Sequence, residues 1–216
     1  MKKLLNIFNI IKPIFKEFFF SFTISHSSYL KKCDFKYLKK LSNYSYENGK
    51  NIINEYEKLF SSKIGSGKFV SFSSGRISLY VILQCFNVKK NDEVIIQSSN
   101  CSAVAFAVMM TGAKPIYVDI DPIDFGPSIY DVKQKINSKT KAIVVQHSFG
   151  IPSSSIFNIK ELCKNNNIVL IEDCALTYDS KINGISVGTI GDASFFSTDN
   201  SKPIKVVEIS IEKSKT

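Results

Sequence analysis

The sequence predicts an α/β protein, a three-layer sandwich with a mostly parallel central sheet held between helices. Two observations carry this. Short runs such as "DEVIIQ" (92–97), "KAIVVQH" (141–147) and "NIVLIED" (167–173) are rich in Val and Ile and scarcely alternate with polar residues, as expected of strands covered on both faces. Between them lie longer segments whose apolar residues recur at helical spacing, so strand and helix take turns as they do in crossover-linked parallel sheets. At 216 residues and 44% hydrophobic content, the chain can bury the core that such a sheet needs.

The first stretch, "MKKLLNIFNIIKPIFKEFFFSFTI", is interrupted by Lys12, Lys16 and Glu17 and leads to no small-residue cleavage site, which argues against a signal peptide. It also falls short of the roughly 20 uninterrupted apolar residues of a membrane span. It reads as a helix broken near Pro13, packing on the domain or, with lysines on one side, lying on a membrane surface. Residues 26–50 are polar and tyrosine-rich and read as a connector, which makes 1–50 an N-terminal helical segment.

From there each element follows in turn. Ile52, Ile53, Tyr56, Leu59 and Phe60 recur at helical spacing, "KFVSF" (68–72) is a strand, and "GRISLYVILQCF" (75–86) an apolar helix. The strand at 92–97 precedes a helix over 101–112, with Gly112 as its stop. "KPIYVDI" (114–120) is a strand, and residues 128–136 form an amphipathic helix with Ser128 as N-cap. A strand at 141–147, a helix at 154–166, a strand at 167–173 and a strand-like run at 193–196 complete the set. In such sheets ligands bind at the carboxyl ends of the strands. That points to Ser73–Gly75, Gln97–Cys101, Gln146–Gly150, Asp173 and Ser197–Lys202.

Composition narrows the function. A net charge of +9 could suggest nucleic acid, but all of the basic residues save Arg76 are lysines, and base and phosphate readout leans on arginine's planar fork. No nucleic-acid partner is expected. Five cysteines form no CxxC pair, and His26 and His147 are the only histidines, so neither a metal site nor a disulfide framework is indicated. A reducing cytoplasm fits.

Four features could carry chemistry. "SSKIGSGKF" (61–69) has Ser62 and Phe69 where a phosphate-binding loop needs Gly and Ser/Thr, so it is read as a turn. "FSSGRISLY" (72–80) places Ser-Ser-Gly between a strand and a helix. That turn is an anion site made of exposed amides and hydroxyls, or an ordinary cap by Ser73 or Ser74. "IVLIEDCA" (168–175) ends an apolar strand with Glu172 and Asp173, and a charge there needs a partner. It is a cationic cofactor atom or a neighbouring loop. Lys202 follows Ser197, Thr198 and Ser201 in a turn after the last apolar strand and could form a Schiff base. Phosphate turn, acid and lysine, in that order, are the parts needed to hold pyridoxal 5'-phosphate. Ser74, Gly75 and Ser197 would hold its phosphate, Asp173 its pyridine nitrogen and Lys202 its aldehyde.

Five motifs, "SSGRISLYVIL", "NDEVIIQSSNCSAVAFAVMMTGAKPIYVDIDP", "TKAIVVQHSFGIP", "IEDCA" and "GDASFFSTDNSKPI", together resemble the DegT/DnrJ/StrS family of pyridoxal-phosphate-dependent sugar aminotransferases, from near Tyr56 to about Pro203. The resemblance implies the large domain of the aspartate-aminotransferase type (fold type I) over 51–203. It puts Asp173 on the pyridine-nitrogen acid, Lys202 on the Schiff-base lysine, Ser197 on a phosphate-binding serine, and Ser74 and Gly75 on the phosphate turn, with Arg76 and Cys101 completing the cofactor-binding set. It implies a homodimer that aminates a nucleotide-linked keto-sugar from glutamate, in polysaccharide or cell-surface glycan biosynthesis. The sequence departs from the family in three places. Leu176 stands where a Gln or His often lies near the cofactor's phenolic oxygen, and Cys101 replaces an aromatic that commonly stacks on the ring. After the lysine, 204–216 contains no glycine and reads as an aberrant or truncated tail in place of the family's small domain. The alternative reading is therefore a truncated, inactive relic or binding module that keeps only the large-domain fold.

Overall fold

The chain divides after Asn43, and the unit that follows is built on a seven-stranded sheet. The computed structural model describes residues 46–65, 67–198 and 209–212. In chain order the elements are α1 (Tyr46–Ile64), β1 (Lys68–Ser71), α2 (Gly75–Cys85), β2 (Glu93–Gln97), α3 (Ser102–Met110), β3 (Lys114–Val118), α4 (Ile129–Lys135), β4 (Thr140–Gln146), α5 (Ile156–Asn166), β5 (Val169–Asp173), β6 (Lys181–Ile182), β7 (Ile185–Ser186), β8 (Ala193–Phe196) and β9 (Ile209–Glu212). The sheet runs β1-β9-β8-β5-β4-β2-β3. From β8 to β3 all neighbours are parallel, and β9 is antiparallel to both β1 and β8.

Successive strand residues point to opposite faces, and here both faces are apolar. Val94, Ile96, Val144, Ile171 and Phe195 pack with Leu79 and Leu83 of α2 and with Val104 and Val108 of α3. Their neighbours Ile95, Ile143, Val145 and Leu170 pack on the other side, with Val132 of α4 and with Ile156 and Ile159 of α5. That double burial is why the strand segments read as unbroken apolar runs. Each such side chain contributes about 1.5–3 kcal/mol on burial, so the two layers of packing dominate the stability of the sheet.

A third cluster fastens α1. Tyr56, Phe60 and Ile64 recur every four residues and so form one stripe of the helix. Phe60 stacks edge-on against Phe69 of β1 and Phe196 of β8, with ring centroids 4.6 and 5.3 Å away. Ile52, Ile53 and Leu59, which helped to signal this helix, are exposed. The core therefore selects only part of the apolar pattern.

Most expected elements are present, with ends that differ by no more than two residues. Ser128 caps α4 as expected, its hydroxyl accepting from the Asp131 amide at 3.5 Å. Gly112 ends α3 with φ +83°, and a Cβ there would lie 3.3 Å from Lys90, so the left-handed turn suits glycine on both counts. Three features add to the sequence reading. The connector assigned up to residue 50 is already helical from Tyr46. A two-stranded hairpin, β6–β7, occupies a segment to which the sequence reading assigns no element. Ile209–Glu212, set aside as part of an aberrant tail, is a strand inside the sheet between β1 and β8. The helix expected in the first 25 residues, Lys202 and the remainder of the tail lie outside the described residues. Among the described residues no helix is long and apolar enough to cross a membrane.

Candidate active site

The carboxyl ends of β4, β5 and β8 and the amino ends of α2 and α3 enclose a cavity of about 550 Å³. Six of the seven residues singled out in the sequence line it: Ser74, Gly75, Arg76, Cys101, Asp173 and Ser197. Lys202 lies outside the described residues. The chain needs the fold to bring these together, since Ser74 and Ser197 are 123 residues apart in the sequence.

Ser74 is the N-cap of α2. Its backbone is extended (φ −167°, ψ 153°), its hydroxyl accepts from the Ile77 amide at 3.3 Å, and its carbonyl accepts from Ser78 at 2.9 Å. The cap and the anion site are thus compatible. The hydroxyl still has a proton to donate, and the first-turn amides of a helix have no partner within it, while its dipole favours negative charge. Arg76, in that turn, holds its guanidinium 5.7 Å from the centre of the Phe106 ring.

Asp173 ends β5 on the α2–α3 face of the sheet. It is 2% exposed, and its Oδ1 accepts from the Ala175 amide at 3.0 Å. Cys101 occupies the N-cap position of α3 without a side-chain capping bond. Its neighbour Asn100 instead turns a side-chain oxygen to the Cys101 amide at 2.7 Å. Leu176 adds an apolar wall, and Phe149 stands at the cavity 75% exposed, with φ +54°.

Glu172, the other carboxylate of the pair, lies on the opposite face of β5 and out of the cavity. Its Oε1 accepts from the amides of Ile190 (2.7 Å) and Gly191 (2.6 Å), and its Oε2 from Gly188 (2.8 Å). His147 Nε2 lies 3.2 Å from the same Oε2. The Ser153 amide donates to His147 Nδ1 at 3.0 Å, which assigns the ring proton to Nε2 and makes His147 a donor to Glu172. Burial by itself would raise the Glu172 carboxyl. The His147 hydrogen bond and the Gly191 and Gly188 amides outweigh it and hold the group below its usual value of 4.5. Cys174 is close by, its thiol pushed well up by burial and by the charges of Glu172 and Asp173. His147, Glu172 and Cys174 could be taken for a metal cluster, but the imidazole nitrogens and the carboxylate oxygens already have partners. They form a bracket that holds the 187–191 loop against the sheet.

The sequence pointed to the strand-end segments but did not single out Gln146, Asn100 or Phe149. Gln146 closes β4 at 6% exposure, and its Oε1 has no hydrogen-bond partner among the described residues. A polar residue ending an otherwise apolar strand was the available signal.

The family model described as "DegT/DnrJ/EryC1/StrS aminotransferase family" matches residues 30–208. The chain belongs to this family. It is 34% identical over 189 residues to the GDP-perosamine synthase of Escherichia coli O157:H7, covering 87% of this chain and 50% of that protein. Among solved structures, the aminotransferase from Psychrobacter cryohalolentis superposes with a TM-score of 0.72 at 27% identity, covering 75% of this chain and 42% of that one. A protein of Streptococcus pneumoniae, named as a sugar aminotransferase and solved in its PLP form, gives 0.68 at 26% identity, covering 76% and 46%. The fold is thus the large domain of fold-type-I aminotransferases. The chain spans about half the length, or less, of the family relatives it matches.

Proposed function

We propose that this chain is the cofactor-binding domain, over 51–203, of a pyridoxal-phosphate-dependent aminotransferase. Its substrate is a nucleotide-linked keto-sugar, its amino donor glutamate, and its setting polysaccharide or cell-surface glycan biosynthesis in the cytoplasm, as a homodimer. The observation that carries this reading is Asp173, a carboxylate only 2% exposed at the end of β5, lining the same cavity as the N-terminus of α2. An acid buried there suits a protonated ring nitrogen, and a helix start suits a phosphate. The Gln146 side-chain carbonyl on the same wall, without a partner among the described residues, is a further polar group that a ring with polar substituents would satisfy.

Bound in this cavity, pyridoxal phosphate would supply an electron sink for the carbon that gains or loses its amino group. The chain's own residues do the rest. Ser74, the amides of Gly75 and Arg76, and Ser197 bind the phosphate. Asp173 would keep the ring nitrogen protonated, Cys101 would help to hold the ring, and Leu176 and Phe195, which line the same cavity, would exclude water from it. Lys202 would hold the cofactor's aldehyde and would move a proton between the substrate carbon and the cofactor carbon.

The test is attachment. Chain incubated with pyridoxal phosphate should develop an imine absorbance band, and borohydride reduction should place the label on Lys202. Label spread over several surface lysines, unchanged in Lys202→Ala, would overturn the assignment.

A further inference from the structure

Gln146 is the last residue of β4 and pairs in parallel register with Asp173 of β5. Register partners share a face, so both side chains lie on the α2–α3 side, and both line the cavity. Asp173 has the Ala175 amide on its Oδ1. Gln146 is 6% exposed, and its Oε1 has no hydrogen-bond partner among the described residues. Leaving a buried amide oxygen unsatisfied costs about 1–3 kcal/mol, and such groups in folded proteins ordinarily find a partner, protein or otherwise.

We propose that Gln146 is a cofactor-contacting residue, its side-chain amide hydrogen-bonding the ring hydroxyl of pyridoxal phosphate. The proposal rests on the cofactor reading above and extends it to a residue with no assigned role. Neighbouring strands lie about 4.8 Å apart, roughly the width of one aromatic ring. A ring whose nitrogen faces Asp173 therefore brings an adjacent edge to Gln146. The hydroxyl suits the position because it donates when protonated and accepts when ionised, and the amide offers an acceptor and a donor exchanged by a half-turn of its last bond. Leu176 on the same wall offers only carbon. An amide is also neutral, so it can sit beside Asp173 without the repulsion that a second carboxylate would bring.

The experiment compares two ligands on the 216-residue chain: pyridoxal phosphate and its analogue lacking the ring hydroxyl. Dissociation constants are measured by equilibrium dialysis for the wild type, Gln146→Leu and Gln146→Met, with thermal melts to confirm folding. The methionine variant keeps the length and volume of the side chain if leucine disturbs the wall. The substitutions are expected to weaken pyridoxal phosphate roughly three- to tenfold, the loss of one hydrogen bond, and to leave the analogue's affinity unchanged. Equal losses for both ligands would make Gln146 a wall residue and overturn the proposal, as would no loss for either. Failure of the wild-type chain to bind pyridoxal phosphate would instead overturn the cofactor reading itself, and this proposal with it.

Discussion

Glu172 and Asp173 are consecutive residues of β5 whose carboxylates serve opposite faces of the sheet. Glu172 is spent on the amides of Gly188, Ile190 and Gly191 and on His147, whereas Asp173 lines the cavity. A pair that looks equivalent in sequence is thus one structural carboxylate and one candidate for chemistry, and substitutions at the two positions should separate stability from binding.

Glu172→Gln should destabilise the fold. Both carboxylate oxygens face donors, so an NH2 group at either position meets an amide or the His147 N–H. The expected cost is about 3 kcal/mol, a fall in Tm of about 6–12 °C for a chain of this size. The effect depends on pH in a defined direction. Because the folded-state carboxyl is held below 4.5, its stabilisation is complete above that value and is lost as pH falls toward and through the depressed one. Acid melts should show this component in the wild type and not in the variant. A variant within 1 kcal/mol of wild type would refute the bracket.

Asp173→Asn should do the reverse. Its Oδ1 can still accept from Ala175, so the melt should stay close to that of the wild type. Its lost charge should weaken pyridoxal phosphate binding about 10- to 100-fold and remove half-transamination. Undiminished amino-group transfer would make Asp173 merely structural.

Ser74→Asp separates capping from phosphate binding. Aspartate is as good an N-cap as serine and favours the helix dipole, so stability should be unchanged. It also sets a negative charge where the phosphate is proposed to bind. Ser74→Ala should cost about 1 kcal/mol of stability yet bind the cofactor better than Ser74→Asp does. Calorimetry with dialysis checks both, and equal affinities would remove the phosphate from this turn.

Gly188→Ala should strike the loop that Glu172 holds. Gly188 has φ +89°, and a Cβ there would lie 2.5 Å from the Phe196 ring. Strain and overpacking should together cost about 2–4 kcal/mol, read as a lowered urea midpoint. A neutral substitution would show that the loop moves freely.

The hairpin β6–β7 shows what was legible in the sequence but passed over. Asn183-Gly184 is a strong hairpin signal, and both residues do turn with positive φ, 51° and 78°. Its strands are only two residues each, too short to show a period. Strand β9, Ile209-Ser210-Ile211-Glu212, alternates apolar and polar residues, a weak strand signal in so short a run, and its place in the sheet rests on pairing with β8 and with β1, which lies far away in the chain.

By itself the sequence determined the order of strands and helices, the double-sided burial of the sheet and the placing of Ser74, Asp173 and Ser197 at element ends. These follow from local spacing, capping chemistry and the apolar content of each run. Only the tertiary structure decided which face of β5 each carboxylate serves, that Gln146 lies beside Asp173, and that His147 meets Glu172 through Ser153's fixing of its ring. A strand's alternation sets two faces but not which of them borders a cavity. That choice is made by where the crossover helices α2 and α3 pack and by the register of β4 on β5, and both are contacts between residues distant in sequence.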